Sequence, residues 1–486
     1  MKKKIVSVIL IIIMSFSFAV TCFAEKKQNE TNVNMTEQQE KKEDKKKENK
    51  KENKNDDKKK KEDDTEAPAE KKGVSAESPY AILLDMNTGM VIYEKNSNKR
   101  VYPADLTKIM TAVLALENCK LEEVATANET ALSNVKTGDS KLGIIKEEKL
   151  SVRQLLYAML LGSAADATNV LAEKTSGSIE NFVLLMNQKA KGLGMTNTNF
   201  TNPSGYHDER HYTTAADMAK LAVHAMKNPD FREIVKCDSY SIGATQKNST
   251  VRKITNRNHF VSKLIRGDYY YEYSTGIKTG YSTDAKSCIA ASAEKNSMSL
   301  IALVFGAETS DNVVQSFTDC KAMFDYAFEN YECQNVVKKG EIVSQTALLN
   351  TRRNNKLTLK ASGDFSVLKE RNAEDLKITY KDDLPKEKSA PVKEGEVIGK
   401  RNFYLNNKRI GQINLISDKD YVLDPITFMV NKIVAFFTSP WLFVVIALII
   451  VVLILIERRR RRILRKKRRE ARKRRNQEML EMMKRM

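Results

Sequence analysis

One stretch constrains every fold open to this chain: Trp441 to Ile456 carries no charged residue, and the run Arg458 to Arg475 immediately behind it is almost wholly basic. The apolar run lies near the lower limit for crossing a bilayer, roughly 17 residues. Basic residues behind such a run stay on the cytoplasmic side. The expected topology is therefore a single-pass cell-membrane protein, with a transmembrane helix over 438–457, a basic cytoplasmic tail over 458–486 and the bulk of the chain extracytoplasmic. Trp441, the one tryptophan, falls where an outer aromatic anchor is useful, and the amphipathic stretch Ile426 to Phe437 precedes it. A formal charge of +20 would otherwise suggest nucleic acid, but its excess sits at this membrane boundary while the middle of the chain mixes acids and bases. The reading is a membrane partner and no nucleic acid.

At the other end, Lys2 to Lys4, an apolar run from Ile5 to Val20 and the Cys22-Phe23-Ala24 site read as a secretory signal peptide over 1–24. Residues 25–75 are dominated by Lys, Glu, Asp, Asn and Gln, with too few apolar side chains to offset the entropy of ordering, and are expected to form a disordered charged linker. Five cysteines remain beyond the signal (Cys119, Cys237, Cys288, Cys320 and Cys333) without metal-ligand spacing, and the four histidines are scattered. Neither a disulfide framework nor a metal site is expected, and no cofactor. His207 and His211 read as solvent-facing or structural.

Ordered patterns begin near Ser78. Tyr80 to Asp85 and Met90 to Tyr93 flank Asn87-Thr88-Gly89 as two strands of a hairpin. Helical periodicity follows from Leu106, then over Val152 to Glu173, Ile179 to Leu193 and Ala215 to Met226. Strand patterns return at Gly276 to Lys278, Ser287 to Ser292 and Ser299 to Phe305, before a helix over Val313 to Tyr331. Strands at both ends with helices between them imply one sheet assembled from distant segments, covered by helices. After Cys333 short alternating strands recur, so the chain divides into an α/β (α+β) domain over 76–332 and a small all-β domain over 333–420.

Within the first domain, Tyr102-Pro103-Ala104-Asp105-Leu106-Thr107-Lys108 is followed by Ser163-Ala164-Ala165-Asp166 and then by Lys278-Thr279-Gly280. Together with Gly194-Met195, Asn202-Pro203-Ser204-Gly205 and Tyr212-Thr213-Thr214, these blocks resemble the serine D-alanyl-D-alanine carboxypeptidases, the low-molecular-mass penicillin-binding proteins, over roughly Ser78 to Ile416. The resemblance implies a penicillin-binding, β-lactamase-like transpeptidase domain followed by a β-rich stalk. It also implies a substrate, the peptidoglycan stem peptide ending in D-alanyl-D-alanine.

In that family a serine attacks the carbonyl between the two D-alanines, and a lysine three residues later takes or relays its proton. Here Asp105 stands at the nucleophile's position and Lys108 at the lysine's; Ala165 replaces the asparagine of the second motif, while Ser163 remains. Lys278, Thr279 and Gly280 keep the third motif, which the resemblance assigns to the terminal carboxylate. Ser133, Ser292 and Ser366 also precede a lysine by three residues, and Lys136-Thr137-Gly138 mimics the third motif, but none opens the helix ahead of the second motif. A carboxylate beside Lys108 forms an ion pair more readily than it attacks an amide. The reading is an impaired or inactive family member in cell-wall metabolism. Its alternatives are an active carboxypeptidase of altered mechanism using Lys108, Ser163 and Lys278, and a membrane-anchored spacer.

Overall fold

The computed structural model describes residues 74–310, 313–352 and 356–485; the expected signal peptide and nearly all of the charged linker lie outside the described residues. The first two apolar runs form a hairpin, β1 (Tyr80–Asp85) and β2 (Val91–Lys95). Its turn is closed by the Asp85 carboxylate, which accepts from the Thr88 N–H at 2.9 Å, and by Gly89 at a φ of 69°, where glycine carries no steric cost. Three strands from far along the chain complete the sheet: β3 (Ser274–Ser282), β4 (Lys286–Lys295) and β5 (Met298–Ala307). The order is β2-β1-β5-β4-β3, antiparallel throughout. β3 is thus an edge strand.

Successive strand side chains point to opposite faces, so β1 and β5 serve two cores. Ile82, Leu84, Ile301, Leu303 and Phe305 join the larger core under the helical cluster. Ala81, Leu83, Leu300, Ala302 and Val304 face the other side. There the helix Gln315–Asn330 lays down Phe317, Cys320, Phe324, Ala327 and Phe328, a spacing of three and four that keeps one face of a helix apolar.

In the helical cluster, a 3-10 turn over Ala104–Thr107 leads into α1 (Lys108–Asn118), whose first eight residues are all buried. The continuous helix expected over Val152 to Glu173 is two helices, α2 (Val152–Gly162) and α3 (Ala165–Ser176). Ser163 between them adopts the left-handed region at φ 59°, and its N–H bonds the Ala158 carbonyl. That conformation is costly for a residue with a Cβ, of order 1–3 kcal/mol. It turns the chain and delivers the Ser163 side chain inward.

The second domain opens with Tyr331–Val337 paired to Phe365–Glu370 and continues as a six-stranded sheet packed around Leu357, Leu359, Val367, Phe403 and Leu415. Phe365 and Phe403 stack at 4.0 Å between centroids. Beyond it, the amphipathic stretch is a helix, Pro425–Thr438, capped by Asp424. Ser439 is extended, so the apolar segment does not begin at 438: a new helix starts at Pro440 and runs unbroken to Arg485, through the basic residues. Among the described residues it is the one helix long and apolar enough to cross a membrane.

Candidate active site

The 3-10 turn fixes the centre of the site. In such a turn side chains three apart eclipse, so Asp105 sits directly over Lys108, and the two are ion-paired. Lys108 is 2% exposed, whereas about a quarter of the Asp105 side chain faces solvent. The Lys108 ammonium also donates to the Ser204 carbonyl at 2.7 Å. An ammonium held by a carboxylate and a carbonyl has no lone pair with which to accept a proton.

The loop that supplies Ser204 is clamped to α1. Thr111 Oγ1 donates to the Pro203 carbonyl at 2.7 Å, and His211 Nε2 lies 2.9 Å from Thr107 Oγ1. His211 Nδ1 accepts from the Thr201 N–H at 3.1 Å, which leaves the ring proton on Nε2, donated to Thr107. Burial pushes this imidazole down to about 4, so it stays neutral and structural. Gly205 completes the clamp: at φ 83°, an added Cβ would stand 1.8 Å from the Ala104 carbonyl oxygen.

The second motif approaches through the turn between α2 and α3. Ser163, 2% exposed, accepts a hydrogen bond from Lys278, and the Lys278 ammonium also donates to the Thr279 carbonyl at 3.0 Å. Burial, aided by the positive charges of Lys108 and Arg257 and opposed by Asp105, lowers the Lys278 ammonium to about 7. Ala165 is buried, and its side chain carries no polar atom.

β3 forms the wall opposite the 3-10 turn. A Cβ on Gly280 would lie 3.0 Å from the Asp105 amide nitrogen and 3.4 Å from its Cβ, so the glycine lets strand and turn approach. Of the six residues singled out from the sequence, Asp105 meets Lys108 and Gly280, Lys278 meets Ser163, and Thr279 lies between Lys278 and Gly280 on β3. The rival serines do not join them. Ser292 bonds Thr275 within the sheet, Ser366 lies in the second domain, and Ser133 ends a short helix elsewhere.

Sequence reasoning missed two supports. Asp166, next to Ala165, accepts backbone N–H bonds from Leu142, Gly143 and Ile144 at 2.9–3.0 Å and so anchors the loop beside the second motif. His211 was read without a partner. An acid inside the apolar run from Val152 to Leu171 was the available signal for the first; nothing in the sequence paired His211 with Thr107.

The start of a buried central helix set against a lysine-threonine-glycine edge strand is the arrangement of the penicillin-binding transpeptidase fold. The D-alanyl-D-alanine carboxypeptidase family profile matches residues 64–309, and that of the penicillin-binding protein 5 C-terminal domain matches 331–422. The D-alanyl-D-alanine carboxypeptidase DacF of Bacillus subtilis is 34% identical over 332 residues, covering 66% of this chain and 80% of that protein. DacA of Haemophilus influenzae is 32% identical over 344 residues, with 69% and 82% covered. The crystal structure of penicillin-binding protein 5 from Haemophilus influenzae aligns with a TM-score of 0.53 at 28% identity, over 71% of this chain and 98% of that one. The chain belongs to the D-alanyl-D-alanine carboxypeptidase family, the low-molecular-mass penicillin-binding proteins of peptidoglycan metabolism.

Proposed function

We propose that this protein is a family member without hydrolytic activity, which binds stem peptides ending in D-alanyl-D-alanine at the outer face of the cell membrane. The observation that carries the reading is the ion pair between Asp105 and the buried Lys108: the nucleophile's position holds a carboxylate, and the adjacent amine is engaged by it. A carboxylate attacking an amide forms a mixed anhydride by expelling a poor leaving group. In an unrelated serine protease, loss of the nucleophile costs on the order of a millionfold in turnover. Ala165 removes a second contact, the one to the substrate amide. What remains favours binding, since Lys278 and Thr279 still offer a cation and a hydroxyl to a terminal carboxylate.

The contact between Lys278 and Ser163 supports a second reading, an altered hydrolase with Ser163 as nucleophile. Its weakness is position, because Ser163 sits in the turn between α2 and α3 and not at the helix start where the family's nucleophile stands. The test is release of D-alanine from a D-alanyl-D-alanine pentapeptide by the full chain in detergent, beside the double variant Asp105→Ser, Ala165→Asn. The expected outcome is a silent natural protein and an active double variant. Turnover by the natural protein, abolished by Ser163→Ala, would establish the second reading instead.

A further inference from the structure

The basic run behind the apolar helix holds more than a membrane boundary uses. Arg458 to Arg475 contains 11 arginines and 3 lysines, with Glu470 the one acid. Over the rest of the chain the preference is reversed, 13 arginines to 55 lysines. Membrane topology responds to lysine and arginine alike. What arginine adds is a planar fork that grips phosphate oxygens in pairs, where lysine is a point charge.

The fold gives the run its shape. It continues the helix that starts at Pro440 without a break, and every residue from Arg458 to Arg475 is exposed. Successive residues of a helix are turned by about 100°, so the five consecutive cations Arg465 to Arg469 point to all sides. Arg472 to Arg475 repeat the ring about two turns further on. Between Arg465 and Arg475 the one apolar residue is Ala471, so this stretch has no apolar face with which to lie along a bilayer. Arg461 is paired with Glu457; among the described residues, none of the cations from Arg465 to Arg475 is in an ion pair.

Length takes the outer ring away from lipid. The apolar run covers about 24 Å against a hydrocarbon core of about 30 Å, and a segment shorter than the core gains nothing by tilting. At about 1.5 Å per residue, Arg468 lies roughly 18 Å beyond Ile456 and Arg475 roughly 28 Å. The headgroup layer is about 5–7 Å deep and charges are screened over about 8 Å at physiological salt. Arg458 to Arg462 thus stand among the headgroups, and Arg468 to Arg475 stand beyond most of their field. Topology, the role expected from the sequence with no nucleic acid as partner, accounts for the inner cluster alone.

A polyanion that engages cations on every side of a helix needs phosphates on both of its flanks, as the walls of a nucleic-acid groove provide. The B-form major groove, about 12 Å wide, admits a helix of about 10–12 Å. We propose that Arg465 to Arg475 bind the phosphodiester backbone of a double-stranded nucleic acid in the cytoplasm. Duplex binding by the tail is independent of peptide binding at Lys278, and it requires the arginine end to be cytoplasmic.

The test uses the full chain in phosphatidylcholine nanodiscs, which leave both membrane faces open, with labelled DNA and RNA duplexes read by fluorescence anisotropy. Binding is expected at about 10 µM or tighter in ~150 mM salt, and about a thousandfold tighter at ~50 than at ~200 mM, as about six phosphate contacts require. The tighter of the two duplexes identifies the source. Arg468→Gln, Arg469→Gln, Arg472→Gln, Lys473→Gln, Arg474→Gln and Arg475→Gln together should weaken binding at least about a hundredfold at ~50 mM salt. These residues are exposed and lie outside both folded domains, and an unchanged melting temperature verifies the fold. Phosphatidylglycerol vesicles at equal phosphate should displace the duplex at least about tenfold less effectively than unlabelled duplex. Displacement by vesicles as effective as by duplex would overturn the proposal in favour of a lipid partner. Failure to bind either duplex, or binding that survives the six substitutions, would overturn it outright.

Discussion

Lys278 links burial to ligand binding through a single proton. It is enclosed by Ser163, by the Thr279 carbonyl and by the fields of Lys108, Arg257 and Asp105. Burial favours its neutral form and sets its titration at about 7 instead of 10.5. A terminal carboxylate binds the ammonium and not the amine, so affinity is highest below pH 7 and falls as pH rises through it, by up to about tenfold per unit. Titrating a D-alanyl-D-alanine peptide into the protein between pH 6 and 9 checks this. Lys278→Met should bind weakly at every pH, and a flat profile for the natural protein would remove Lys278 from the carboxylate site. Asp105 enters the same balance: it favours the ammonium, so Asp105→Ser alone moves the midpoint to lower pH. The carboxylate that the proposed function holds responsible for silent chemistry thus also tunes the residue that would hold the ligand.

The elements meet at the site through backbone contacts as much as through side chains. Gly205 shows the difference between two costs of replacing a glycine. At Gly177, which ends α3 at φ 82°, an added Cβ meets nothing within 4 Å, so Gly177→Ala carries only the conformational penalty of the left-handed region, about 1–2 kcal/mol. At Gly205 a similar φ is joined by a collision with the Ala104 carbonyl, and neither backbone can yield without moving the turn that holds Asp105. Gly205→Ala is expected to destabilise by at least about 2 kcal/mol more than Gly177→Ala, read from urea denaturation midpoints at constant slope. Equal losses would mean that the loop yields freely. The same elements show what sequence could reveal. Asp105, Lys108, Ser163 and Lys278 were singled out through the resemblance of three motifs to the family, and the fold brings them close together. The break at Ser163 was not legible: Leu155, Leu156, Met159 and Leu160 before it and Ala167, Val170 and Leu171 after it all enter one core, so apolar periodicity ran across a turn that contains no proline. A cavity of about 560 Å³ was illegible for another reason, since its lining comes from separate segments around Arg100, Arg210 and Asp284 that only the folded chain brings together.

At the scale of the whole molecule, two helices of opposite surface character follow the β domain. Pro425–Thr438 exposes Ile426, Met429, Val430, Ile433, Phe436 and Phe437, which suits an apolar face laid on a bilayer interface. The helix from Pro440 then carries the apolar run directly into Arg458 to Arg475 without a break. At about 1.5 Å per residue, the 16 residues from Trp441 to Ile456 cover about 24 Å, a little short of the hydrocarbon core, so the flanking tryptophan and arginines would sit close to the two interfaces. Basic residues resist transfer across the membrane, so the orientation we propose has the arginine end in the cytoplasm and the site outside, facing uncrosslinked stem peptides. Protease added to cells stripped of their wall is expected to digest the two folded domains and leave a protected fragment containing Trp441 to Arg475, detectable through a tag appended after Met486. Loss of that tag from unpermeabilised cells, with the folded domains intact, would reverse the orientation. It would also separate the site from extracytoplasmic peptides, so the proposed binding role depends on this topology.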